Sequence, residues 1–475
     1  MPSHLLTMKV SKYRLIAVLL LAALLSDGTR LRAAGKDSDR AAEVRSEIAS
    51  ANDWIKDQDQ LQTKWAAMGR TPFTFYRATD HLFYHDLGSG LIAVPQNWKK
   101  ADQKVSTWIS GDFHLQNVGF VDTGNGNLVF EPNDFDESLQ APFHWDLIRC
   151  VASLFIIADS ADWKIDALPG ESEKDTKKAA ADERLAFKLS QKDAEDLAMD
   201  FLKNYFAAVQ GKHEPLDEAK VREMSGKDGW MTQTLDKQKG ADVAKFWKKQ
   251  TGGSQSAFDF PSLTTRLREV PKPVAKDFDP AWDLYQAAGV PPGCLEKKAE
   301  AERLGSGLGS LGVVKIYVLI EGPTKADTDN LLLECKETRA PSMLGRALPA
   351  PAAPAYKNEA ERVSTAMHKM LTKVGEPEGG FTAGGRPYHV TPITPWGDGV
   401  ALGDFPKRGD LAEFLKFTAL ALADAHCRAE PGFAASVQDF LAKQHEVKNT
   451  LVKLGEDYGQ QVVKDFDAFT KSPHP

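Results

Sequence analysis

The sequence predicts an α+β protein with two lobes, a mainly helical large lobe and a small β-rich lobe. Charged segments with helical periodicity fill most of residues 41–300 and 401–475, whereas apolar and β-branched runs separated by turn residues gather in residues 301–400. The chain has 475 residues, of which 42% are hydrophobic and 26% charged. This length and composition suit one soluble globular unit with a separate core in each lobe.

The charge balance and the N-terminus restrict the partners. Lys and Arg number 59 against 66 Asp and Glu, a net charge of -7, and no basic patch interleaved with aromatics occurs, so we expect no nucleic-acid binding. Basic residues precede the apolar run 15–25 and small residues follow it, which predicts a secretory signal peptide over residues 1–34. That run is shorter than the roughly 20 residues of a spanning helix. We expect export to the periplasm or cell exterior without stable membrane insertion after cleavage.

The cysteine pattern contains no Cys-x-x-Cys pair, which argues against a zinc ribbon or a redox pair. Free buried thiols are expected, and one or two disulfides remain possible in an oxidising compartment. The four cysteines are Cys150, Cys294, Cys335 and Cys427.

Short strands interrupt the helical pattern in the first part of the large lobe. Val105 to Ser110 and Leu128 to Phe130 are apolar runs of strand length, and the Gly- and Asn-rich turn 122–127 precedes the second. We therefore expect a hairpin-like pair that brackets residues 111–117. Helices are predicted at residues 41–61, 71–87 and 146–158 and after the capping box of Ser190 and Asp193.

The small lobe is predicted from a strand-turn-strand signal over residues 311–320 and 330–336. An Ala- and Pro-rich loop covers residues 340–356. The run Tyr388 to Ile393 predicts a strand, and its proline suggests an edge position. Further helices are expected at residues 358–371, 411–429 and 437–471.

The densest polar group follows the first strand and continues after the turn. Phosphoryl transfer needs a carboxylate that positions or deprotonates the acceptor hydroxyl, and oxygen ligands that hold magnesium against the phosphates. Asp112 can supply the carboxylate, and Asn117 and Asp134 can bind the metal with help from Asp136. The Asp-x4-Asn spacing is that of a kinase catalytic loop. Carboxylates gathered in this way would repel one another without a cation.

Other interpretations of this group remain open. The aspartates can be turn residues, or ligands of a calcium ion without catalysis. His114 can act as a general base, or as a structural hydrogen-bonding residue inside the aspartate loop. No Gly-x-Ser-x-Gly or His-Glu-x-x-His motif occurs, so serine hydrolase and zinc protease activities lose support.

A glycine-rich segment at residues 305–312 leads directly into a strand. Glycines let backbone N–H groups approach phosphate oxygens, and entry into a strand argues against a dinucleotide-binding fold. Lys336 can pair with nucleotide phosphates, oriented by Glu359 or Glu361 of the next helix; a flexible linker with a solvated lysine is the alternative. The predicted nucleotide-binding residues are Gly307, Gly309, Ser310, Gly312, Lys336 and Glu361.

These parts form a kinase-like set in an altered order. Kinases run from glycine loop and lysine to catalytic loop and metal aspartate, whereas here the last two come first. A circular permutation accounts for the order, because domain termini often lie close together. The helix at residues 417–426 resembles the Leu-Ala-x-x-His helix that precedes the catalytic loop in aminoglycoside-phosphotransferase-like kinases.

From about residue 70 to 470 the chain resembles the bacterial family called domain of unknown function 2252, which is itself kinase-like. In two positions it departs from the family pattern: Thr365 stands where the helix after the lysine usually has an acid, and Ala78 where a glycine usually follows the arginine. The matching stretches are residues 72–77, 111–119, 133–137, 142–149, 307–312, 336–337, 423–426 and 458–465.

The resemblance implies roles for four residues. Asp112 matches the catalytic aspartate, Asn117 and Asp134 the metal ligands, and Lys336 the nucleotide lysine. The expected fold is a circularly permuted, two-lobed protein-kinase-like fold. The expected activity is Mg²⁺- and ATP-dependent phosphoryl or nucleotidyl transfer to a hydroxyl of an unknown small-molecule or protein substrate.

Export is the main objection to this activity, because ATP is scarce outside the cytoplasm. Two alternatives follow from it. One is an exported, non-catalytic kinase-like protein that binds a ligand in the cleft, and the other is a metal-dependent phosphohydrolase that needs no ATP.

Overall fold

The computed structural model describes residues 39–471 except for gaps at 169–170, 212–213, 286–295, 306–308, 310, 325, 351–354 and 398. The helices are α1 (39–52), α2 (Gln58–Met68), α3 (Pro72–Ala78), α4 (Asp80–Ser89), α5 (Gln96–Lys99), α6 (His144–Ile157), α7 (Glu173–Asp182), α8 (Gln191–Gln210), α9 (Glu218–Ser225), α10 (Trp230–Lys239), α11 (Val243–Thr251), α12 (Lys272–Leu284), α13 (Glu359–Met370), α14 (Arg408–Ala429), α15 (Phe433–Lys443) and α16 (Val447–Thr470). The strands are β1 (Ser106–Ile109), β2 (Val118–Asp122), β3 (Leu128–Pro132), β4 (Leu139–Pro142), β5 (Leu267–Arg268), β6 (Lys297–Arg303), β7 (Lys315–Ile320), β8 (Leu331–Glu337), β9 (Gly379–Ala383) and β10 (Arg386–Ile393). The predicted α+β class is confirmed.

The largest core is built around α6, in which every residue is buried. Its sequence is apolar on nearly all sides, which suits a helix surrounded by other elements. Gly455 and Gly459 of α16 face it, and a Cβ at Gly455 would clash with Val151 of α6. Small residues therefore let α16 pack closely along the central helix.

A six-stranded antiparallel sheet, in the order β5-β6-β7-β8-β10-β9, forms the second part of the molecule. One face packs on α12 through Phe278 and Trp282. The other face buries Tyr317, Leu319 and Leu332 against aromatic side chains of the segment that contains α11. Because β5 and β6 belong to this sheet, it starts before residue 301, where the sequence pattern places the boundary of the small lobe.

Two small hairpin pairs hold the loop 111–117. β1 pairs with β4, and β2 pairs with β3. The predicted pairing of residues 105–110 with 128–130 is therefore wrong, although both strands and the turn 122–127 are present. The missed strands β2 and β4 contain Gly119 and Gln140, which weaken the apolar signal of strands this short.

Three other predicted elements need correction or confirmation. Residues 388–390 of the predicted edge strand lie between β8 and β9, whereas residues 391–393, which include Pro392, pair with β8 alone. The edge prediction is therefore wrong for the first half of the segment and right for the second. The predicted helix 437–471 is two helices, separated at residues 444–446, where Glu446 has a φ of 52°. The capping box of Ser190 and Asp193 at the start of α8 is confirmed.

The N-terminal helix α1 is fastened by Arg40. The guanidinium donates to both oxygens of Asp86 on α4, each at 2.7 Å, and to both oxygens of Asp465 on α16, at 3.2 and 2.7 Å. The carboxylates are 0% and 3% exposed. Arg40 thus joins the start of the described chain to its final helix.

Three of the four cysteines lie within the described residues, whereas the predicted signal peptide does not. Residues 1–34, the predicted signal peptide, lie outside the described residues. Among the described helices, none combines the length and the apolar character needed to cross a membrane. Cys150, Cys335 and Cys427 are free thiols, as expected, and Cys294 lies outside the described residues.

Candidate functional site

The loop that carries Asp112 is held at its start by a buried carboxylate. Asp146 on α6 accepts hydrogen bonds from the backbone N–H groups of Ser110, at 2.8 Å, and Gly111, at 3.0 Å. His426 on α14 lies beside it, with Nε2 3.2 Å from Asp146 Oδ2. Gly111 has a φ of 83°, and a Cβ there would overlap the carbonyl of Glu137. Only glycine fits this turn, which directs Asp112 into the cleft.

Asp112 is paired with a buried arginine. Nε of Arg149 on α6 donates to Asp112 Oδ1, and the guanidinium lies 4.2 Å from the ring centroid of Tyr76. Burial raises the pKa of Asp112 to about 8. The charge of Arg149 opposes this shift, and the charges of Asp80 and Asp134 add to it. A carboxyl pKa shifted this far by burial and neighbouring charges is typical of functional clefts.

Two roles were predicted for His114, general base and structural hydrogen-bonding residue, and its contacts are those of the structural role. Its ring is buried, and Nδ1 accepts a hydrogen bond from the Gln116 N–H at 3.1 Å. Nε2 lies 3.8 Å from Asp112 Oδ2, beyond hydrogen-bond range. Burial, followed by the charges of Arg77 and Arg149, holds the pKa of His114 well below its usual range. The ring is neutral and braces the loop.

The predicted metal ligands line the same cleft as Asp112. Nδ2 of Asn117 donates to the Asp112 carbonyl at 2.8 Å, so its side-chain oxygen is the atom suited to a metal. Asp134 accepts the Asp136 N–H at 3.2 Å, and its pKa is raised by burial and by the charge of Asp136. Within the described chain, no group of three or more His, Cys, Asp or Glu side chains is arranged to enclose a metal.

Lys336 reaches this group from β8. Its ammonium forms an ion pair with Asp136, and although burial alone lowers its pKa, the charges of Asp136 and Asp134 raise it. Lys336 is therefore charged at physiological pH. The sequence pattern brings this lysine and the two aspartates together correctly.

The prediction that Glu361 or Glu359 orients Lys336 is wrong. Glu361 lies in the first turn of α13, where its side chain is 42% exposed and accepts the N–H of Lys357 at 2.5 Å. Glu359 pairs instead with Arg362, and Thr365 donates to the Glu361 carbonyl. Acids in the first turn of a helix are stabilised there by unpaired backbone N–H groups, which explains their position.

Instead of an acid, α13 contributes Arg362, which contacts the loop that carries Asp134 and Asp136. Nη1 donates to the Ser138 carbonyl at 2.6 Å, and Nη2 donates to the carbonyls of Asp136 and Arg339 at 2.7 and 2.9 Å. The side chain is almost fully buried. Arg362 therefore fixes the backbone of the residue that pairs with Lys336.

The glycine-rich segment connects β6 to β7. Gly307 and Ser310 lie outside the described residues. The carbonyl of Gly309 accepts a hydrogen bond from Lys64 at 3.3 Å, and Gly312 has a φ of 104° beside Ile55. The segment thus approaches the N-terminal helices at the cleft.

Two cavities meet at Asp134 and Asp136. One, of about 380 Å³, contains Asp112 and Asn117, and the other, of about 530 Å³, contains Lys336. The two aspartates line both. The arrangement separates a compartment beside the predicted catalytic aspartate from a compartment beside the predicted nucleotide lysine.

Sequence reasoning missed most of the residues that hold or surround the site. Their contacts join elements that are distant along the chain, and no local pattern marks them. The family-motif stretches 72–77 and 142–149 were a usable signal for three of them. The missed residues are Lys64, Arg77, Asp80, Asp146, Arg149, Arg339 and Arg362.

The fold and the site together define a mixed α+β protein with a polar cleft, rich in aspartate, beneath an antiparallel sheet. The chain belongs to the family described as an uncharacterised protein conserved in bacteria, domain of unknown function 2252, whose profile matches residues 56–472. The resemblance to this bacterial family found in the sequence is thereby confirmed. Neither curated proteins nor solved structures match the chain.

Proposed function

We propose that this protein is a Mg²⁺-dependent phosphotransferase with a circularly permuted kinase-like fold, which transfers a phosphoryl group from ATP to a hydroxyl. The observation that carries the proposal is the convergence of Asp112, Asn117 and Lys336 on two cavities that share Asp134 and Asp136 as lining residues. A catalytic aspartate, two metal ligands and a phosphate-binding lysine are the parts that kinases use.

The order of elements in the sheet supports the same proposal. The glycine-rich segment joins β6 to β7, Lys336 lies on the next strand β8, and helix α13 follows. Kinases place a glycine-rich loop, a lysine on the third strand and then a helix in this order. The loops of Asp112 and Asp134 precede this set in the chain, as a permutation requires.

The oxygen ligands fit a phosphate-bound Mg²⁺ rather than a closed metal cage. Mg²⁺ keeps several waters and takes one or two protein carboxylates together with substrate phosphates. Asn117 and Asp134 supply two such ligands, and Asp136 lies next to them. Bound there, the ion would neutralise charge on the transferred group.

The remaining chemistry falls to the residues of this chain. Asp112 positions the acceptor hydroxyl and takes its proton as the oxygen bonds to the terminal phosphorus and the bond to ADP breaks. Arg149 holds the carboxylate in place, and Asp146 holds the loop. Lys336 holds the donor phosphates, and Arg362 keeps the partner of Lys336 in position.

Calorimetry of the purified protein with ATP and Mg²⁺ tests the proposal. We expect Asp134→Asn to weaken Mg²⁺-dependent ATP binding by about tenfold or more, because it removes the metal carboxylate. Asp112→Asn should keep that binding but abolish phosphoryl transfer, because it removes the proton acceptor. The unchanged mass of the variant's candidate substrates after incubation with ATP and Mg²⁺ would show this loss.

The exposed substitution Asp236→Asn on α10 is a matched control, since its carboxylate contacts only Arg222 among the described residues and is 57% exposed. It should leave ATP binding at the wild-type level. Absence of ATP binding by the wild-type protein, or binding that survives Asp134→Asn unchanged, would contradict the proposal.

A second candidate is an exported protein of the same fold that binds a ligand without transferring a group. Glu334 lies two residues before Lys336, on the same face of β8, and its carboxylate lines the cavity where the donor phosphates and base would lie. Aromatic residues near α11 also pack on Tyr317 of this face. Binding of a ligand with no turnover would favour this candidate.

A further inference from the structure

Two buried cations in the cavity of Asp112 form no salt bridge within the described residues, although the charge of Asp80 acts on Lys64 and that of Glu183 on Arg77. Lys64 on α2 is 4% exposed, and its ammonium donates to the Gly309 carbonyl at 3.3 Å. Arg77 on α3 has a buried Nε without a hydrogen-bond partner, and its guanidinium lies 5.8 Å from the centroid of the Phe73 ring. Among the described residues, no carboxylate oxygen forms a salt bridge with either side chain.

An unpaired buried charge is costly, because water is lost without compensation. Burial lowers the pKa of Lys64 to about 8 and also lowers the pKa of Arg77. Nearby, Oδ2 of Asp80 and Nε2 of His81 are also buried without a partner. Buried polar atoms left unsatisfied in one cavity are typical of a site that waits for a polar ligand.

We propose that Lys64 and Arg77 form an anion-binding subsite, and that the acceptor is a small molecule bearing a carboxylate or phosphate in addition to its hydroxyl. The assignment of this anion to the acceptor rests on the proposed transfer reaction. Both cations line the 380 Å³ cavity that contains Asp112. That volume fits a small metabolite and excludes a folded protein domain.

An anion bound to Arg77 would lie close to Asp112, which lines the same cavity. The charges of Glu183, Asp112 and Asp134 all act on the Arg77 guanidinium. Lys64 contacts Gly309 of the glycine-rich segment, and a Cβ at Gly309 would lie 3.9 Å from the Arg77 carbonyl. An anionic group held between them would leave the rest of a small acceptor beside the Asp112 carboxylate.

Calorimetry with inorganic phosphate and with succinate, in the absence of nucleotide, tests the subsite. We expect the purified protein to bind at least one of the two anions, and the pair distinguishes a phosphate-bearing from a carboxylate-bearing acceptor. Lys64→Met and Arg77→Met should each weaken this binding by about tenfold or more. The exposed substitutions Lys177→Met and Arg222→Met, which remove the same charges from α7 and α9, should leave it unchanged.

A thermal melt of each ligand-free variant separates binding from structure. Removing an unpaired buried charge should keep or raise the Tm, whereas a structural role would lower it. A lowered Tm for both cavity variants, no anion binding by the wild type at millimolar concentration, or binding that survives both substitutions would overturn the subsite.

Titration with ATP and Mg²⁺ distinguishes failure of the subsite from failure of the proposed function. We expect Asp134→Asn, which removes a negative charge close to Arg77, to lose Mg²⁺-dependent ATP binding while it binds the anion at least as tightly as the wild type. Lys64→Met should weaken anion binding by a larger factor than ATP binding. Equal loss of ATP and anion binding in Lys64→Met would assign the cations to the donor phosphates and overturn the acceptor assignment. Anion binding without any ATP binding would refute the phosphotransferase while the subsite remained.

Discussion

The contact of Arg40 with two buried carboxylates gives a prediction that can be worked out from the structure. Arg40→Met keeps the apolar stem of the side chain but removes four charge-assisted hydrogen bonds to the buried Asp86 and Asp465, at 2.7 to 3.2 Å, and a fifth to the exposed Glu43, at 3.1 Å. Burial already raises the pKa of Asp86 against the effect of Arg40. Breaking a buried ion pair from one side costs about 3–5 kcal/mol, because the remaining charge is uncompensated.

The assay is urea unfolding of the purified protein, followed by circular dichroism. We expect Arg40→Met to lower the free energy of unfolding by about 3–5 kcal/mol. The triple variant Arg40→Met, Asp86→Asn, Asp465→Asn should recover part of that loss, since it leaves no unpaired charge. Lys177→Met removes an exposed pair with Glu173 and should cost about 0.5 kcal/mol or less. A loss below about 1 kcal/mol for Arg40→Met would refute the reasoning.

Two further predictions concern the loop that carries Asp112 and the six-stranded sheet. Gly111→Ala should lower the Tm and weaken any ligand binding in the Asp112 cavity, because the φ of 83° at Gly111 and the Glu137 carbonyl leave no room for a Cβ. Thermal melts measure the first effect and the anion titration the second. An unaltered Tm would contradict this prediction. Burial is the largest effect on the pKa of Glu378 and raises it, but the hydrogen bond and charge of His389, together with hydrogen bonds from Ser364 and His368, outweigh burial, so the net pKa is lowered. Its contribution to stability is therefore present above the ordinary glutamate pKa of about 4.3 and is lost as the pH falls below it. Melts of Glu378→Gln from pH 7 to pH 3 should show a weaker acid dependence than the wild type, and an identical slope would be the contrary result.

Elements with strong periodicity were predictable from sequence, and elements defined by their partners were not. The apolar run of α6, the capping box of α8 and the strands β7 and β8 have local signals that tertiary contacts reinforce. The pairing of β1 with β4 is a contact between segments of which one, Leu139–Pro142, has little apolar character. The pairing of β10 with β9 over residues 386–390 likewise depends on its partner strand, and Pro392 marks only the end of β10 that pairs with β8 alone.

The candidate site divides in the same way. Asp112, Asn117 and Asp134 lie near one another in the sequence, and their kinase-like spacing was enough to predict that they share one site. Glu361 could not be excluded, because helical position alone does not tell which way a first-turn acid faces. Lys64 could not be found at all, since its relevance comes only from its burial beside Gly309.

The bond between Arg40 and Asp465 spans 425 positions of the chain. A ribosome releases the residues of α1 long before those of α16, so α1 stays without its Asp465 anchor until α16 has been synthesised. Residues 50–52 at the end of α1 form part of the wall of the Asp112 cavity. That wall is therefore secured only after α16 has formed, and chains truncated before α16 should lack a finished pocket.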